Sequence, residues 1–314
     1  MTLRLTVERD PWWRHAERVA RDAPGLVPVV KGNGYGFGRA RLAELASKLA
    51  DTIAVGTVHE LAGLPAGLTP VVLTPSLRPP VDPAPILTVG SLRHIAALDG
   101  WRGRVLVKLA SSMRRYGTSR DELGAMVSTA QGSGLEVVGF SVHPPVAGSD
   151  DEHLDDIAAW MNVLDPTDEV WVSHLSLDGY AALRDAWPDH RFRIRLGTAL
   201  WHGDKRYLQL GADVLDVRPT RVDDRVGYRQ LPVPCDGHLV MVGAGTAHGV
   251  QARPDGLSPL HFGRRRLALL EPPHMHTSMV VVPSGEPMPA VGQWIDVQCP
   301  LITAYPDEWV WTDG

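Results

Sequence analysis

Short apolar runs recur from Val27 to Leu196, most of them closed by a glycine, a proline or a charged residue. They cover Val27 to Lys31, Thr52 to Gly56, Pro70 to Thr74, Ile86 to Gly90, Arg104 to Leu109, Leu135 to His143, Glu169 to His174 and Arg191 to Leu196. Near-continuous apolar character without alternation predicts strands buried on both faces, as in parallel sheets. Several connections carry helical periodicity instead, among them Arg41 to Leu49 and His153 to Met161. Eight such runs joined by crossovers predict a (β/α)8 TIM barrel of the α/β class. An open doubly wound sheet is the alternative, but its GxGxxG fingerprint is missing. The first glycine loop, Gly32 to Gly38, spaces its glycines in twos, and Gly243-Ala244-Gly245 runs on into Thr246-Ala247-His248.

Beyond about residue 212 the pattern changes. Alternating, β-branched segments appear at Leu239 to Val242, Met279 to Val282, Trp294 to Val297 and Trp309 to Trp311, punctuated by Pro, Gly and Asp. They predict a small, mostly antiparallel β-domain. The expected division is a barrel over residues 1–214 and a β-domain over 215–314.

Composition narrows the classes. The chain has 314 residues, 44% hydrophobic and 21% charged, with a net charge of -5. That balance recommends neither a nucleic-acid nor a membrane-surface partner. No apolar stretch is long enough to predict a membrane span, and Arg4, Glu8, Arg9 and Asp10 interrupt any signal core, so a cytoplasmic protein is expected. Cys235 and Cys299 make no disulfide framework.

Candidate chemistry begins at Lys31, which ends the first apolar run and opens Gly32-Asn33-Gly34-Tyr35-Gly36-Phe37-Gly38. A side chain at the carboxyl end of a barrel strand points into the barrel's mouth, where barrel enzymes hold their reactive groups. A strand-end lysine can also simply reach solvent. Four glycines spaced two apart around Tyr35 favour a site.

This segment resembles the pyridoxal-phosphate (PLP) lysine motif of the alanine racemase family, fold-type III enzymes built as a barrel followed by a β-domain. The resemblance implies that Lys31 carries PLP as a Schiff base and that Tyr35 contacts its phosphate. Lys108 to Gly117 resembles the family's Lys-x-x-Thr-Gly-Met-x-Arg-x-Gly. There Lys108 matches a lysine that is often carbamylated, and Arg115 the arginine bonding the cofactor's phenolic oxygen and the substrate carboxylate. His143, ending the sixth run, matches a histidine near the pyridine ring. Arg193 to Gly203 resembles Arg-x-Gly-x-Ala-Leu-Tyr-Gly, with one extra residue. It implies that Arg195 faces the pyridine nitrogen and that the amides of Gly197 and Thr198 hold phosphate. A guanidinium cannot hand a proton to that nitrogen, which limits side reactions such as transamination.

In the β-domain, Val226-Gly227-Tyr228 matches Ile-Gly-Tyr, implying that Tyr228 is a second base entering the active site of a partner subunit in a homodimer. A buried tyrosine with a satisfied hydroxyl is the alternative. Met275 matches a methionine whose backbone approaches the substrate carboxylate. The chain also departs from the family. Leu177-Asp178 stands where an Asn-Ser pair is expected, leaving Ser176 as the candidate phosphate ligand from a shifted loop. Ala110 and His276 replace aspartates, Arg229-Gln230 follows Tyr228, the carboxyl end is short, and Tyr305 is the candidate for the tail tyrosine. His274 and His276 have metal-ligand spacing, but one such pair is a weak signal, so no metal is expected. Cys235-Asp236-Gly237 faintly resembles a cysteine motif of related decarboxylases, without its Gly-Pro.

The function expected is a PLP-dependent amino-acid racemase using Lys31 and Tyr228 on opposite faces of the α-carbon, with alanine the leading substrate. A PLP-dependent decarboxylase or lyase of the same fold and a non-catalytic PLP-binding homologue stay open.

Overall fold

Residues 3–313 are described by a computed structural model of the chain. In chain order the strands begin with β1 (Leu3–Glu8), β2 (Leu26–Pro28), β3 (Thr52–Val55), β4 (Thr69–Val72), β5 (Ile86–Val89), β6 (Arg104–Lys108), β7 (Glu136–Ser141), β8 (Glu169–Ser173) and β9 (Arg191–Leu196). The helices are α1 (Arg9–Asp22), α2 (Arg39–Ala46), α3 (Leu92–Ala96), α4 (Arg120–Gly132), α5 (Asp150–Met161), α6 (Leu177–Ala186) and α7 (Thr198–Trp201). Two compact units result. One holds His15–Gly34 and Arg39–Gly203; the other holds the described residues up to Arg14, Tyr35–Gly38 and the described residues from Asp204 on.

In the first unit, β2 to β9 form one parallel sheet in the order β2-β9-β8-β7-β6-β5-β4-β3. A single bridge between Val29 and Ala54, with Val30 N–H donating to Ala54 at 2.8 Å, joins its two ends and closes the barrel. Each of the eight apolar runs has become one of these strands. The reason is burial on both faces: β3 and β5 are buried at every position, and β8 at all but its first. The helical periodicities near Arg41 and His153 fall in α2 and α5, and Ser119 and Ser149 open α4 and α5 with capping boxes.

The second unit continues with β10 (Leu208–Thr220), β11 (Arg225–Val226), β12 (Leu231–Pro232), β13 (Gly237–Val242), β14 (Leu260–Phe262), β15 (Arg265–Arg266), β16 (Ala268–Leu269), β17 (Ser278–Pro283), β18 (Trp294–Val297) and β19 (Glu308–Thr312). The long β10 is the spine of a nine-stranded sheet, pairing antiparallel with β1, β13 and β18. β1 also pairs parallel with β19, so the first strand of the chain belongs to this sheet. Leu3, Leu5 and Val7 face inward, and Trp12, Phe37 and Trp311 pack as an aromatic cluster with centroids 5.0–6.3 Å apart. No helix among the described residues is long and apolar enough to cross a membrane.

Candidate active site

The carboxyl ends of the barrel strands collect basic side chains. Lys31 follows β2 in an irregular turn, Lys108 ends β6, His143 follows β7 and Arg195 lies on β9. Arg115 sits on a loop after β6 that Leu109 and Thr118 close by a bridge. That loop is anchored: Ser111 Oγ donates to the His143 carbonyl at 2.8 Å, Trp160 Nε1 to the Ala110 carbonyl at 2.8 Å, and Ser112 Oγ to Asp156 at 2.5 Å.

Arg195 is 8% exposed, and its guanidinium is fixed from behind. Nη2 donates to the Val142 carbonyl at 2.6 Å and to Ser173 Oγ at 3.3 Å, and Nε to the Val172 carbonyl at 3.3 Å. Nη1 bonds no group among the described residues. Burial, then Arg115, brings its pKa down to about 10, which leaves it charged at neutral pH.

Ser173 Oγ also bonds Nδ1 of His143. Arg195 can only donate to the serine oxygen, and the buried Ser173 hydroxyl reaches no other acceptor among the described residues, so its hydrogen goes to His143 Nδ1. His143 therefore takes the Nε2–H tautomer. Burial, followed by Arg195 and Lys108, pushes its proton affinity far down, so the ring stays neutral. His174, ring centroid 4.4 Å from His143, donates Nδ1–H to the Pro144 and Pro145 carbonyls at 2.9 and 3.0 Å, in a left-handed conformation with φ 64.

Lys108 is 7% exposed and bonds no acceptor among the described residues. Burial, then Arg195 and Arg115, lowers its amine to about 6. Lys31 is open to solvent, yet the surrounding protein lowers its amine too, through desolvation first and then Arg115 and Arg195, against a weak pull from Glu60. Lys31, Lys108, Arg115, His143 and Arg195 are thus one electrostatic cluster, with Glu60 the carboxylate acting on Lys31. Such a cluster suits a ligand carrying several negative charges.

Gly197 and Thr198 begin the short α7, whose first-turn amides have no acceptor within the helix. Ser176 is occupied otherwise. It caps α6 by accepting from Gly179 N–H at 3.0 Å, and its hydroxyl and amide both donate to Asp150. Tyr35 is 7% exposed with φ 55, its phenol pushed up to about 12 by burial, and it belongs to the second unit.

Tyr228 and Met275 also belong to the second unit. Tyr228 is 86% exposed and Met275 66%, so Tyr228 is no buried core tyrosine. It rides the turn between β11 and β12, where Gly227 and Gln230 take positive φ. Two residues escaped the sequence reading. Ser173 is an unremarkable serine at a strand end. Glu271 is a buried acid whose only signal was its place between the apolar Leu269-Leu270 and Pro272-Pro273.

A family model described as "Alanine racemase, N-terminal domain" matches residues 12–205. The curated alanine racemase of Mycobacterium tuberculosis is 31% identical over 166 residues, and that of Mycobacterium bovis equally so. The match covers 46% of this chain and 43% of each relative, so it spans less than half the length of those proteins. Among solved structures, the alanine racemase of Bartonella henselae with covalently bound pyridoxal phosphate aligns at TM-score 0.74 and 17% identity, covering 99% of this chain and 100% of that one. The Bacillus anthracis alanine racemase with bound L-Ala-P aligns at TM-score 0.73 and 19% identity, covering 99% and 87%. With the family match reaching from α1 through the barrel to the turn after α7, the chain belongs to the alanine racemase family.

Proposed function

We propose that this chain is a PLP-dependent amino-acid racemase, with alanine the leading substrate, acting as a homodimer whose active sites are shared. The observation that carries the reading is the Lys31 amine. It stands at the open end of the barrel with its proton affinity lowered by desolvation from the surrounding protein and by Arg115 and Arg195, which shifts the amine toward the neutral form that reacts with an aldehyde.

The residues present fit the cofactor. Lys31 supplies the amine, Arg195 offers Nη1 to an unprotonated ring nitrogen, and Arg115 serves a phenolic oxygen and a substrate carboxylate. Tyr35 and the amides of Gly197 and Thr198 are the phosphate ligands in this reading, with Ser176 joining only if it gives up Asp150. Lys108, neutral above about pH 6, is the candidate for carbamylation: its nitrogen adds carbon dioxide, a proton leaves, and the resulting anion faces Arg115.

When bound, PLP supplies a conjugated ring that draws electrons from the α-carbon and acidifies its proton. The protein's part is proton handling. Lys31 Nζ takes or returns the proton on one face, and Tyr228 Oη of a second copy does so on the other. An unperturbed phenol has a pKa near ~10, so it needs a partner that favours its anion. His143, fixed as a neutral Nε2–H donor, is suited to that role. Arg195, unable to protonate the ring nitrogen, favours racemisation over decarboxylation. The Met275 backbone is assigned to the substrate carboxylate.

Reconstitution with PLP and chiral chromatography of a panel of L-amino acids test this. A visible absorbance band that borohydride bleaches while leaving the cofactor covalently fixed on Lys31, with D-product from alanine, is expected. Amine with carbon dioxide would instead indicate a decarboxylase, and a band without turnover a non-catalytic binding protein. Purified protein that stays colourless in PLP rules the reading out.

A further inference from the structure

Glu271 is an acid buried to 4% exposure in the β-domain unit, and its carboxylate holds three donors, two from the turn between β11 and β12 and one from His274. Oε1 accepts the Tyr228 amide at 3.0 Å, Oε2 the Arg229 amide at 3.1 Å, and Oε1 also the Nε2–H of His274 at 2.5 Å. Burial alone would raise this carboxyl, but the hydrogen bonds from His274, Arg229 and Tyr228 outweigh it and hold it ionised. The fit leaves no spare room. Gly227 has φ +79, and a Cβ there would stand 2.2 Å from Glu271 Oε1.

The clamp continues beyond the backbone. The His274 ring lies against the Tyr228 ring, centroids 4.2 Å apart and tilted by 38°. Glu271 fixes His274 by the same oxygen that fixes the Tyr228 amide. A tyrosine has two side-chain torsions. The two amide bonds fix the backbone that carries the ring, and the His274 contact favours one placement of it, although the residue is 86% exposed. Such anchoring adds nothing to a core when it serves a side chain that faces solvent. It is expected for one whose oxygen must arrive at a set place.

We propose that Glu271 and His274 are positioning residues for Tyr228, the carboxylate fixing the turn and the imidazole the ring, so that the phenol is preorganised before it meets substrate. This rests on the reading of Tyr228 as the second base. Neither residue touches the reacting atoms in this assignment.

The test uses the full chain as wild type, Tyr228→Phe, His274→Ala and Glu271→Gln. Two quantities are read: α-proton exchange from each enantiomer of alanine in PLP-loaded protein, and amide hydrogen exchange at residues 228 and 229 without cofactor. Glu271→Gln should speed exchange of both amides by roughly tenfold. His274→Ala and Glu271→Gln should each slow the face that Tyr228→Phe slows, by roughly tenfold to a hundredfold, and leave the other within about twofold. If Tyr228→Phe is face-selective while the other two slow both faces equally or neither, the inference fails alone. If Tyr228→Phe shows no preference of face, the assignment of Tyr228 as a base fails and takes this role with it. The amide measurement then still reports whether the clamp exists.

Discussion

Lys108 keeps an amine where charge is disfavoured, and its titration should be visible in stability. Its amine is lowered to about 6 in the fold, against ~10.4 for a free lysine. Between those values the unfolded chain binds a proton that the folded chain does not, so this residue makes stability rise with pH from about 6 to about 10 and adds no slope below. Lys108→Met should therefore raise the stability of cofactor-free protein at pH 7 by roughly 2–4 kcal/mol and flatten that rise. Urea midpoints at several pH values check both, and an unchanged slope would mean that the amine is not desolvated in solution. Ser173→Ala should act differently. It removes the hydrogen that Ser173 gives to His143 Nδ1, so nitrogen NMR should show a mixture of tautomers where the wild type shows Nε2–H alone. The residues of this site were legible to unequal degrees. Lys31, Lys108 and Arg195 stand out because a cation ending an apolar strand conflicts with its neighbours. Ser173 and Glu271 do not, because a serine or an acid near a loop conflicts with nothing until the fold buries it.

At the scale of elements, the barrel strands were readable because burial on both faces removes polar residues from them, and that leaves a mark in sequence. β1 shows the limit. Leu3, Leu5 and Val7 alternate with polar neighbours, but Leu5 pairs with Leu210 and Trp309, and nothing local names partners so far along the chain. Glycines separate in the same way. Gly139 sits in β7 where its register with β6 shifts, at φ +152, and a Cβ there would lie 2.4 Å from the Glu169 carbonyl oxygen. Gly124 lies in α4 with open space where a Cβ would go. Gly139→Ala should cost roughly 2 kcal/mol or more, because neither the backbone conformation nor the adjacent strand can yield. Gly124→Ala should add roughly 0.5–1 kcal/mol, because only the unfolded chain loses freedom. Thermal unfolding of the pair distinguishes a glycine required by the sheet from one that is merely tolerated.

For the whole molecule, the question is how many chains make one site. Tyr228 and Met275 stand 86% and 66% exposed on a single chain, which is where residues serving a second copy would be found. If each site takes Lys31 from one chain and Tyr228 from its partner, two inactive variants can repair each other. Lys31→Ala lacks the amine but keeps Tyr228, and Tyr228→Phe lacks the phenol but keeps Lys31. In a mixed dimer both defects fall in one site, and the other site is wholly intact. Random pairing of equal amounts makes about half of all dimers mixed, so co-refolded protein should recover about a quarter of wild-type racemase activity. Each variant refolded alone should stay near its own low level. A mixture no more active than its parents, at a concentration where light scattering shows dimers, would mean that both bases come from one chain.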